Sequence, residues 1–80
     1  MTKQITQIDL DRLVEVYKKG VETWNKGEDF LHWCAYYEGA IKRACESLGV
    51  EAPFTYVRIT KILENSFQSG YDNFWDLGPQ

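Results

Sequence analysis

The stretch Phe54-Thr55-Tyr56-Val57-Arg58-Ile59-Thr60 decides the fold class, because taken alone it is rich in β-branched and aromatic residues and reads as a strand. A lone strand has nothing to pair with. Extended through Gln68, the same segment sets Tyr56, Ile59, Ile62, Leu63 and Phe67 on one helical face, opposite Arg58, Lys61 and Asn65. The expectation is therefore a third helix over 54–69, closed by Gly70, in an all-α fold.

Upstream, Gly49-Val50-Glu51-Ala52-Pro53 forms a break, since Pro53 forbids helical continuation and biases Ala52 toward extended backbone. Before it, a helix over 29–48 is expected, capped by Asp29 and ended by Gly49. Phe30, Trp33, Cys34, Tyr37, Ile41, Ala44, Cys45 and Leu48 gather on one side and face the core. A second stripe, His32, Tyr36, Gly39 and Arg43, lies off that side.

The first helix is expected over 9–26, with Asp9 as N-cap, Ile5 and Ile8 as a hydrophobic staple, and Gly27 past its end. Leu10, Leu13, Val14, Tyr17, Val21 and Trp24 follow the spacing of one buried face, and Asp11, Arg12, Glu15, Lys18, Lys19 and Glu22 form the solvent face. Gly20 costs about 1 kcal/mol against Ala inside a helix, which suggests close approach by a neighbour. Downstream, Tyr71-Asp72-Asn73-Phe74-Trp75-Asp76-Leu77 is too aromatic for ordinary disorder and is expected to pack on the bundle. The architecture that follows is a small three-helix bundle with an aromatic C-terminal segment lying on it.

Eighty residues supply one domain and one core. Twelve aromatic rings are many for that core to hold, so some are expected at the surface. The formal charge of −3 gives no general attraction for phosphate backbones or anionic lipid and favours a basic partner. No apolar run is long enough to cross a membrane or serve as a signal peptide, which makes a cytoplasmic location the default. Cys34 and Cys45 fall in one helix about 16 Å apart, beyond the reach of an intramolecular disulfide, and are expected as small core residues.

Catalysis is disfavoured. His32 and Cys34 are two positions apart and point to opposite sides of a helix, and no phosphate loop, nucleophile elbow or metalloprotease motif is present. One histidine and two cysteines are too few for a structural zinc site, so neither a metal nor another cofactor is expected.

Tyr and Arg are enriched at interface hot spots, which makes His32, Tyr36 and Arg43 one candidate partner-binding surface. Tyr71, Phe74 and Trp75, interleaved with Asp72 and Asp76, make a second, suited to a groove with a basic rim. For both, the alternative is that they complete the core. Cys45-Glu46-Ser47-Leu48-Gly49-Val50, set between two helices, resembles a helix-turn-helix over about twenty residues and implies a DNA-binding regulator reading through the third helix. The acidic balance and the length of the turn around Pro53 count against nucleic acid.

By elimination, the chain reads as a non-catalytic protein-binding module, a small inhibitor or adaptor covering a site on a larger protein. In size and charge alone it is similar to phage-encoded inhibitors of bacterial defence, which occupy basic surfaces of nucleic-acid-handling proteins. Surplus rings also suit self-association as a homodimer.

Overall fold

A computed structural model describes residues 5–23, 27–56 and 60–74, without the side chain of Glu28. Among the described residues three helices, α1 (Gln7–Thr23), α2 (Glu28–Leu48) and α3 (Lys61–Asp72), build an all-α bundle. α2 is its hub. Both other helices pack on α2, α3 over much the larger seam.

α1 starts two residues earlier than Asp9. Thr6 holds the capping role: its Oγ1 accepts from the Asp9 backbone N–H at 3.3 Å, and Asp9 Oδ2 accepts from the Thr6 N–H at 3.0 Å. Two amide donors at the helix start are thus satisfied reciprocally. Leu10 and Leu13 are buried and Val14, Tyr17 and Val21 partly so, while Asp11, Arg12, Glu15, Lys18, Lys19 and Glu22 are all exposed. Ile5 packs on the core, but Ile8 is largely exposed and staples nothing. Trp24 lies outside the described residues.

α2 begins at Glu28, and its N-cap is Gly27 in extended backbone with no side-chain cap bond, so Asp29 as cap does not hold; residues 24–26, where the expected end of α1 falls, lie outside the described residues. Its C-terminus is as expected. Gly49 adopts the left-handed conformation (φ 70°), Val50 N–H reaches the Cys45 carbonyl at 3.0 Å, and Gly49 N–H reaches that of Glu46 at 3.3 Å. This is a Schellman ending.

The third helix is the main correction. Phe54, Thr55 and Tyr56 are not helical, and α3 starts only after Thr60, whose Oγ1 accepts from Leu63 N–H at 3.2 Å. β-Branched residues lose side-chain freedom in a helix, while Thr at an N-cap satisfies a free amide, so the helix starts where the threonine helps most. Phe54 and Tyr56 still pack inward, on the α1–α2 core and on the Ala35–Leu63–Phe67 cluster respectively. Residues 57–59, including Arg58 and Ile59, lie outside the described residues.

Gly70 does not end α3. It sits buried in the last turns, and the helix runs on to Asp72, with Asn73 N–H on the Ser69 carbonyl. A methyl group at Gly70 would overlap the Tyr36 carbonyl, and one at Gly39 would overlap that of Phe67. The two glycines face each other's helix backbones, which sets how closely α3 lies on α2. Gly20 acts likewise toward α2, since a methyl there would run into the Trp33 indole.

Leu10, Leu13, Ala40, Ile41, Ala44, Cys45 and Phe74 form the main buried cluster. Beside it, rings make a continuous chain. Phe30 and Trp33 stack at 6.4 Å, Trp33 and Tyr17 at 5.9 Å, Tyr17 and Phe54 at 5.0 Å, and Phe54, Tyr56 and Phe67 meet edge-on at 5.2 and 5.5 Å. Cys34 and Cys45 are buried and unbridged, and burial pushes the Cys45 thiol up.

Candidate functional site

α3 lies along the stripe His32, Tyr36, Gly39, Arg43, so the first candidate surface is largely a helix–helix seam. His32 Nδ1 is 2.9 Å from Ser66 Oγ, and the Tyr36 backbone is the floor on which Gly70 rests. At the seam's end the two candidate surfaces become one. Arg43 places its guanidinium 5.1 Å from the ring centre of Tyr71 and 5.4 Å from that of Phe74. Both distances are within cation–π range.

Around that core, Tyr71 Oη donates to Glu46 Oε1, Lys42 Nζ donates to Glu46 Oε2, and Lys42 also lies 5.6 Å from the Tyr71 ring centre. The Lys42 and Tyr71 hydrogen bonds hold the Glu46 carboxyl below its ordinary range, and the bond to Glu46 raises the Tyr71 phenol. Arg43, Lys42 and Tyr71 are half-buried, Phe74 is buried, and Asp72 is exposed, accepting from Gln68 Nε2 at 3.0 Å. Trp75 and Asp76 lie outside the described residues. Of the eight residues singled out by type, Arg43 therefore reaches both Tyr71 and Phe74, while His32 meets Ser66 across the seam and the Tyr36 backbone lies against Gly70.

A second feature escaped the sequence reading. Glu38 is 1% exposed, and Tyr17 Oη donates to its Oε2 at 2.6 Å. Burial, then this hydrogen bond, then the Glu38 charge raise the Tyr17 phenol. Both residues line a cleft of about 190 Å³ between α1 and α2, closed on its third side by Leu63 of α3. A signal for Glu38 existed: positions 30, 34, 38, 41 and 45 share one helical stripe, and the charged residue among four apolar ones must be buried.

Among the described residues no three His, Cys, Asp or Glu side chains group as metal ligands, and no helix is long and apolar enough to cross a membrane. No family model, curated protein or solved structure matches this chain. Function is therefore argued from the residues.

Proposed function

We propose that this chain is a non-catalytic protein-binding module, a small inhibitor or adaptor that covers a site on a larger protein. The observation that carries the reading is Arg43 seated over the rings of Tyr71 and Phe74. A long flexible side chain normally loses rotamer freedom on binding; one already held against two rings loses less, which is how preorganised interface residues gain affinity. Arg43 is the charged anchor and Tyr71 the aromatic one, with Glu46 and exposed Asp72 as the acidic rim. The net charge of −3 favours a partner with a basic surface, such as a nucleic-acid-handling protein of the kind phage inhibitors of bacterial defence occupy.

The test is affinity capture from host extract with wild-type protein and with the Arg43→Ala/Tyr71→Ala double variant, each checked by circular dichroism. Wild type should retain a larger protein in a salt-sensitive manner, and the folded double variant should retain none. Equal capture by both would overturn the reading. The helix-turn-helix alternative is less well supported: α2 ends at Leu48 and α3 begins at Lys61, a far longer connection than the three or four residues of that motif.

A further inference from the structure

We propose that Arg43 receives a carboxylate from the protein partner, an aspartate or glutamate side chain set in an otherwise basic surface. The inference rests on the reading of the Arg43, Tyr71 and Phe74 cluster as a partner-binding site, and names the group the partner brings to its centre.

The cluster holds more donors than its own acceptors engage. Glu46 lies one helical turn beyond Arg43, but its Oε1 accepts from Tyr71 Oη and its Oε2 from Lys42 Nζ. The Asp72 carboxylate accepts from Gln68. Half-buried Arg43 keeps its ring contacts and, among the described residues, makes no hydrogen bond or ion pair. A guanidinium carries its N–H donors in its own plane, and attraction to a ring occupies none of them. Those donors match a pair of oxygens in one plane, which a carboxylate supplies through two parallel hydrogen bonds. A neutral amide side chain has a single oxygen to offer.

Neighbouring charges select among anions. Glu46 and Asp72 are both exposed beside the cluster, so a phosphate with nearly two negative charges meets more repulsion there than a carboxylate with one. The same two acids attract lysines or arginines that flank the partner's carboxylate. One acidic contact is thereby compatible with the basic partner that the net charge of −3 favours.

The experiment is an NMR titration of the intact wild-type protein, observing the Arg43 Nε–Hε signal, with three blocked tripeptides: Lys-Glu-Lys, Lys-Gln-Lys and Lys-phosphoserine-Lys. The glutamate peptide should shift that signal saturably, with affinity at least about tenfold above the glutamine peptide and above the phosphoserine peptide. Arg43→Lys, which keeps the charge and loses the planar fork, should remove the preference for glutamate. Equal binding of the glutamate and glutamine peptides would overturn the inference, as would tighter binding of phosphoserine or a preference that survives in Arg43→Lys. No saturable shift with the glutamate peptide at tens of millimolar would also overturn it. A shift of the Arg43 signal with protein concentration alone would assign the carboxylate to a second copy of the chain and overturn it too. The titration needs no extract, so a failed peptide preference beside Arg43-dependent capture rejects the carboxylate and keeps the binding module.

Discussion

Two tyrosines show how much the placement of one hydroxyl decides. Tyr17 donates to the buried Glu38, so Tyr17→Phe removes a donor from a carboxylate that water does not reach, and should lower stability by about 1–3 kcal/mol in urea unfolding. Tyr56 has a buried hydroxyl with no hydrogen-bond partner among the described residues, so Tyr56→Phe should leave stability unchanged or raise it, by up to about 1 kcal/mol. Together with Tyr37, these tyrosines set an alkaline limit. A tyrosine in the unfolded chain loses its proton near pH 10, while burial holds the protons of Tyr17, Tyr37 and Tyr56 to higher pH. Their contribution is fully present below about pH 10 and is lost as pH rises beyond it, because the unfolded state deprotonates first. Melting temperature should therefore fall above pH 10, and Tyr17→Phe should make that fall shallower without removing it.

Between α2 and α3 the controlling feature is the pair Gly39 and Gly70. In an isolated helix Gly→Ala is worth about 1 kcal/mol of stabilisation. Here each substitution drives a methyl group into a backbone carbonyl of the other helix, so either should instead destabilise, by about 1–3 kcal/mol or more, in thermal or urea melts. Thr60→Ala should cost about 0.5–2 kcal/mol through the lost cap at the start of α3. These positions also mark the limit of what the sequence discloses. The buried face of α1, the span of α2 and its stop at Gly49 follow from local periodicity and a left-handed residue, and all are legible. The start of α3 is not, because Val57, Ile59 and Thr60 fit strand, loop or helix equally until Thr60 is seen to cap. Gly70 reads as a helix end because a late glycine usually is one. Its actual reason, the Tyr36 carbonyl, lies on another helix 34 positions away and leaves no local trace.

At the scale of the whole molecule, α3 gathers what the chain separates. Arg43 and the Tyr71–Phe74 run were recognisable as candidates from residue type alone, yet their contact depends on how the glycine seam seats α3 on α2, which no spacing rule supplies. The same packing sets His32 and the Tyr36 backbone against α3, and the far end of the seam holds the cluster proposed above to face a partner. An acidic chain docking through that end should bind a basic protein more weakly as salt is raised, with the larger change in association rate. Arg43 is therefore the residue on which the functional reading turns. The most direct measurement is partner capture by wild type beside Arg43→Ala, with melting temperatures recorded for both. Capture by wild type and its loss in an Arg43→Ala protein that melts within a few degrees of wild type is the expected result. Undiminished capture by that folded variant would contradict it.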